Sequence, residues 1–210
     1  MKPEEVLRII GEHRIVAIVR TQDPHEAWES AQAVIEGGLP VVEVSLTTPG
    51  ALATIQKLAS TTQGVIGAGT VLAVSDVEKV VDAGATFIVT PNLNPDIVSA
   101  ALTAGLLVGP GVFTATECHQ ALELGAHLLK LFPASSAGIP AMKSLSDPFP
   151  AARWLPTGGI TPDNFTDWLS AGAFAVGMGS ALTRGDPELV RARAKMISTS
   201  LGNTPSSKKN

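Results

Sequence analysis

An α/β fold, a (β/α)8 TIM barrel with an extra N-terminal helix, is what this sequence predicts. Short apolar runs rich in β-branched residues alternate with helical stretches from end to end. There are eight such runs, and their starts lie 20 to 27 residues apart, the length of one βα unit with short loops. The turn after the first run, RTQDPHEA, has no glycine, which disfavours the runner-up fold, a doubly wound open sheet with its Gly-rich fingerprint.

The predicted strands are RIVAIVR (14–20), VVEVSL (41–46), VIGAGT (65–70), TFIVT (86–90), LLVGP (106–110), HLLKLF (127–132), RWLPT (153–157) and FAVGM (174–178). Between them run PHEAWESAQAVIEGG, PGALATIQKLAS, VSDVEKVVDAG, NPDIVSAALTAG, TATECHQALELG and TPDNFTDWLSAG. A Ser, Thr, Asp or Asn stands near most helix starts. Glycine stands just past the ends, at Gly37, Gly84, Gly105, Gly125 and Gly172. Residues 3–13 predict a further helix across the barrel bottom. No linker interrupts the pattern, so residues 1–202 read as one domain, with 203–210 (NTPSSKKN) as a disordered tail.

A chain of 210 residues that is 45% hydrophobic can bury a sizeable core. The net charge of −4, scarce aromatics and absent tyrosine leave no footprint for nucleic acid or an anionic membrane. No apolar segment approaches the roughly 20 residues of a membrane span, and the N-terminus lacks a signal-peptide stretch. Cys118 is the single cysteine, so no internal disulfide forms and a reducing cytoplasm is the expected location.

Within AHLLKLFPAS, alternation puts Ala126, Leu128 and Lys130 on one face and His127, Leu129 and Leu131 on the other. An ammonium inside a packed barrel is costly unless it is paired, or held neutral to do chemistry as an amine nucleophile. In VVEVSL the same rule puts Val41, Glu43 and Ser45 on one face. A carboxylate mid-strand in a sheet buried on both faces needs a reason. A buried ion pair with Lys130 is one, and a catalytic acid/base is the other.

Chemistry in such a barrel sits where strands end. PTGGIT (156–161) and GMGSAL (177–182) follow the last two strands, the recurrent phosphate position. Gly158, Gly159, Gly179 and Ser180 are therefore assigned to a phosphate. Arg20 and Thr70, ending the first and third strands, can together hold a carboxylate. Thr47 follows the second strand, Pro91 the fourth and Phe132 closes the sixth. Their position makes them candidate substrate contacts, although turn chemistry or packing accounts for them as well. His13, His25, His119 and His127 show no ligand spacing, so neither a metal nor another cofactor is expected.

The ordered set VVEVSLTTPGA, GVIGAGTV, FIVTPN, GPGVFTATE, LLKLFPAS and PTGGITPDN resembles the 2-keto-3-deoxy-6-phosphogluconate (KDPG) aldolase family with its 4-hydroxy-2-oxoglutarate (KHG) aldolase relatives, from about Arg14 to Leu182. The resemblance implies a class I aldolase in which Lys130 is the Schiff-base lysine, Glu43 the acid/base and Thr70 a contact to the pyruvate carboxylate. It implies that Thr157 meets the C4 hydroxyl, favouring the gluconate epimer over the galactonate one, while FIVTPN leans the other way. It further implies pyruvate and a phosphorylated 2-keto-3-deoxy sugar acid as small-molecule partners, and a homotrimer. Many members carry an arginine four residues after the glutamate, where this chain has Thr47; Arg20 is the expected substitute. A non-catalytic sensor of phosphorylated sugar acids is the alternative from another class.

Overall fold

The computed structural model describes residues 1–202, so the predicted tail at 203–210 lies outside the described residues. Helix α1 (Pro3–His13) precedes β1 (Ile15–Val19), and βα units follow. These are α2 (Pro24–Glu36), β2 (Val41–Ser45), α3 (Ala51–Thr61), β3 (Val65–Gly69), α4 (Val74–Asp82), β4 (Phe87–Val89) and α5 (Pro95–Thr103). Next come β5 (Leu107–Gly109), β6 (Gly111–Val112), α6 (Ala115–Glu123), β7 (Lys130–Leu131), α7 (Ala134–Ser146) and α8 (Phe165–Ser170). The chain continues through β8 (Val176–Met178), α9 (Ser180–Thr183) and α10 (Pro187–Gly202).

Six strands form a curled parallel sheet in the order β5-β4-β3-β2-β1-β8, and β6 pairs with β7. Every strand pair is parallel, as short βα connections require. Main-chain bonds continue past the edge of the six-stranded sheet. His127 N–H donates to Val108 O, Leu129 N–H to Arg153 O, Leu155 N–H to Leu129 O, and Gly177 N–H to Pro156 O.

The later predicted strands are shorter than expected. Segment 106–110 divides into β5 and β6 around Pro110, 127–132 keeps two strand residues, and 153–157 only isolated bridges at Trp154 and Thr157. Prolines 110 and 156 have no N–H to give a ladder, which is the physical reason. Glycine stops fall where expected, with one shift: after α2 the left-handed residue is Gly38 (φ +93°), while Gly37 stays right-handed. Helices α2, α5 and α6 start on side-chain caps from Asp23, Asn94 and Thr114, the last a full capping box with Glu117. Three helices escaped prediction, α7, α9 and α10. In α7, Gly138 and Pro140 break the helical pattern at a kink.

Strand alternation sorts the core into two layers. Outward residues such as Ala17, Val42, Val44, Ile88, Val108, Leu129 and Leu131 pack against the helices. Inward residues Val16, Val41, Val65, Phe87, Leu107, Leu128, Leu155 and Ala175 meet Val6 and Ile10 of α1 in a second cluster. This seats α1 at the N-terminal ends of the strands and leaves the C-terminal ends for the polar residues.

Candidate active site

Two residues beyond that apolar layer, the inward positions of β2 and β7 are Glu43 and Lys130. Parity alone puts them inside, since Val41 and Leu128 already face inward. Both are buried, at 1% and 4% exposure, and Lys130 Nζ lies 4.0 Å from Glu43 Oε1. That is an ion-pair distance and too long for a hydrogen bond; among the described residues Glu43 Oε1 accepts none. Burial pushes the Glu43 carboxyl above the ordinary carboxylate value, and the charges of Lys130 and then Arg20 pull only partly the other way. A carboxyl so placed gains and gives up a proton closer to neutrality than an exposed one. Phe132, two residues further on, sets its ring 5.5 Å from Lys130 Nζ.

A hydroxyl cluster stands beside this pair. Arg20 Nε donates to Ser45 Oγ at 3.3 Å and Arg20 Nη2 to Thr70 Oγ1 at 3.2 Å. Ser45 Oγ in turn shares hydrogen bonds with Thr70 Oγ1 (3.0 Å) and Thr47 Oγ1 (2.8 Å). Thr70 adopts φ +58°, a left-handed conformation that a β-branched residue rarely takes. The contacts with Arg20 and Ser45 hold it there. A guanidinium and three hydroxyls converging at three neighbouring strand ends suit a carboxylate.

The expected Arg20–Thr70 juxtaposition is thus present, and Thr47 joins it. Ser45 is the hub that sequence reasoning missed. Its signal was available: it follows Glu43 by two residues and so shares its face.

Thr157 is buried and its hydroxyl donates to Leu155 O at 3.2 Å. Thr157 pairs in parallel with Gly177, so the segments carrying Gly158, Gly159 and Gly179 leave neighbouring strand ends. Gly158 and Gly159 both have positive φ, +92° and +82°, and their α-carbons lie against Phe132 and Ser135. Ser180 opens α9 directly after Gly179. Pro91 stands apart from the hydrogen-bonded group, its main chain packed against Gly111. Among the described residues no three His, Cys, Asp or Glu side chains gather in a way that could hold a metal ion. Cys118 is buried in α6 with its thiol pushed up to about 11 by burial, which makes it a poor nucleophile.

A buried amine opposite a buried carboxyl, at the C-terminal end of a parallel sheet, equips an enzyme to make and break bonds beside a carbonyl. The class is a carbon–carbon lyase. The chain belongs to the KDPG and KHG aldolase family, whose model matches residues 6–193. It is 37% identical over 180 residues to the 2-dehydro-3-deoxy-6-phosphogalactonate aldolase of Escherichia coli K12, covering 84% of this chain and 88% of that one. It is 32% identical over 195 residues to the 2-dehydro-3-deoxy-phosphogluconate aldolase of Pseudoalteromonas atlantica, covering 89% and 91%. Among solved structures it resembles KDPG aldolase from Legionella pneumophila, captured with pyruvate as a covalent carbinolamine intermediate. That match has a TM-score of 0.85 at 29% identity and covers 94% of this chain and 98% of that one.

Proposed function

We propose that the chain is a class I aldolase that cleaves 2-keto-3-deoxy-6-phosphogluconate to pyruvate and glyceraldehyde 3-phosphate. The observation that carries this reading is the Lys130–Glu43 pair, sealed from water and 4.0 Å apart. The Lys130 amine adds to the C2 ketone, and loss of water leaves an iminium. As the C3–C4 bond breaks, its electron pair flows into the iminium and gives an enamine. Glu43 takes the C4 hydroxyl proton, which frees the aldehyde, and then returns a proton to C3. Hydrolysis of the resulting imine releases pyruvate and restores the amine. The covalent pyruvate adduct seen in the Legionella relative supports this sequence.

Arg20, Thr70, Ser45 and Thr47 hold the substrate carboxylate in this reading, with Arg20 standing in for the arginine absent at position 47. Phe132 and Pro91 flank the pyruvyl part. Gly158, Gly159, Gly179 and Ser180 take the phosphate, whose binding energy keeps C4 in register with Glu43. Thr157 meets the C4 hydroxyl. The galactonate epimer is the second reading, favoured by the 37% identity to an enzyme named for it. 4-Hydroxy-2-oxoglutarate cleavage and oxaloacetate decarboxylation follow the same enamine logic as side activities.

The main-chain bonds through 127–131 and 153–157 support a fully closed (β/α)8 barrel, one domain over residues 1–202, with α1 as its bottom plug. Leu72 and Val74, 57% and 47% exposed beyond β3, are apolar surface that a homotrimer would cover. A reducing cytoplasm suits the single buried cysteine. No described helix is long and apolar enough to cross a membrane.

Pyruvate with borohydride tests the central step. Mass mapping is expected to find the reduced adduct on Lys130, and an adduct elsewhere or none at all overturns the Schiff-base reading. Initial rates with the two C4 epimers and 4-hydroxy-2-oxoglutarate rank the substrates.

A further inference from the structure

Strand β3 turns two bare α-carbons toward the interior, and each makes room for a different neighbour. A Cβ built on Gly67 would come within 2.5 Å of the Phe87 ring, so this glycine admits an apolar side chain from β4. One layer nearer the mouth, a Cβ on Gly69 would land on Glu43 Oε1 and lie 2.7 Å from Glu43 Cγ. Backbone conformation does not demand glycine at 69, because its φ is outside the left-handed region. What matters there is the missing side chain.

Glu43 is in register with Gly67, yet its carboxyl reaches the level of Gly69. Side chains on strands lean along the strand direction, and here that lean carries the carboxyl toward the mouth. β2 and β3 are locked together by five registered pairs, Ser45 with Gly69 among them, so the strands cannot part to admit a methyl. The Glu43 side chain would have to leave its place instead.

We propose that Gly69 is a positioning residue of the aldolase reaction, its bare α-carbon being the slot that seats the Glu43 carboxyl opposite the Lys130 amine. The proposal rests on the aldolase reading above and adds a residue with no side chain, which acts through Glu43. Gly69→Ala leaves the nucleophile untouched and moves the proton carrier. Displacements of about 1 Å in such a group can cost on the order of 100-fold in rate.

The test compares Gly69→Ala, Glu43→Asp, their double variant and Gly67→Ala with the unsubstituted enzyme. Two readouts are taken: the borohydride-trapped pyruvate adduct on Lys130, and exchange of the pyruvate methyl protons in deuterated water. Gly69→Ala is expected to keep the adduct while exchange per adduct falls about 10- to 100-fold. The acid limb of its pH–rate profile should shift as well. Because a shorter carboxyl relieves the overlap, Glu43→Asp should cost about tenfold less in the Gly69→Ala background than alone. Gly67→Ala disturbs packing and should lower stability with exchange per adduct within about twofold. Should Gly69→Ala not fold, recovery of folding by the added Glu43→Asp supports the proposal, and no recovery overturns it. Unchanged exchange and pH profile in Gly69→Ala, or an undiminished cost of Glu43→Asp in that background, also overturns it. No adduct in the unsubstituted enzyme defeats the aldolase reading itself, which is a separate result.

Discussion

Two residues of chain separate the sealed base of the sheet from its reactive mouth. At the base the inward positions are Val16, Val41, Val65, Phe87, Leu107, Leu128, Leu155 and Ala175, capped by Val6 and Ile10. Two residues on, along the same segments, they are Ile18, Glu43, Gly67, Val89, Gly109, Lys130, Thr157 and Gly177. The first layer fills its volume with hydrocarbon. The second exchanges hydrocarbon for three polar side chains, Glu43, Lys130 and Thr157, and for glycines that make room: a Cβ on Gly177 would fall on Thr157 Oγ1, and one on Gly67 on the Phe87 ring. Stability and chemistry are therefore stacked along one axis, each in its own layer. The Glu43 carboxyl, with no hydrogen bond at Oε1 among the described residues, costs stability that the dense apolar layer beneath it offsets.

Four tests probe this division, in descending order of effect. Lys130→Met should lower cleavage by about 10⁴-fold or more, since a covalent nucleophile is lost. Combined with Glu43→Leu, it should unfold no earlier than the unsubstituted enzyme on heating, because replacing both buried charges with apolar groups is commonly neutral or stabilising. An early melt would mean that the pair also holds the mouth together.

Ile10→Ala addresses the base. It should cost about 2 to 5 kcal/mol in denaturant unfolding while cleavage per folded molecule stays within about twofold. A large rate defect would break the separation of layers.

Arg20→Ala comes third. Loss of the guanidinium proposed to hold the substrate carboxylate, and of its hydrogen bonds to Ser45 and Thr70, should raise KM about tenfold or more. The same change removes a cation that lowers the Glu43 carboxyl, so the acid limb of kcat/KM should move to higher pH. If Arg20→Ala leaves KM unchanged while Thr70→Ala raises it, the carboxylate is held by the hydroxyls alone.

The smallest effect lies at the base. His127 accepts a hydrogen bond from Val108 N–H at Nδ1, and burial lowers its pKa, with Glu4 opposing and Arg153 assisting. An unfolded chain then takes up this proton at higher pH than the folded one. Stability from this residue is present above the ordinary histidine value and is lost as pH falls from there through the lowered folded value. His127→Asn keeps an acceptor for Val108 N–H but no charge. It should flatten that decline, measured as unfolding midpoint against pH, without touching the rate.

Much of this was legible in the sequence because it is local. The 3.6-residue and two-residue periods, the caps at Asp23, Asn94 and Thr114, and the glycine stops all act within a few residues. Inward placement of Glu43 and Lys130 follows from alternation and a buried sheet. The strand extents at 106–110, 127–132 and 153–157 were overdrawn because apolar content was read without the missing N–H groups of Pro110 and Pro156. Helix α7 stayed hidden because Gly138 and Pro140 interrupt its pattern, which only packing restores.

By itself, then, the sequence determined which face each strand residue takes and which residue types could do chemistry, since steric alternation and propensity operate along the chain. Only the tertiary structure decided the 4.0 Å between Lys130 and Glu43, residues 87 positions apart. It alone made Ser45 the hub between Arg20 and Thr70, gave Thr70 its left-handed backbone, and turned Gly69 into a slot for a carboxyl from the next strand. Distances between strands, and the burial that shifts the Glu43 carboxyl, depend on register and curl of the sheet, and no local rule specifies those.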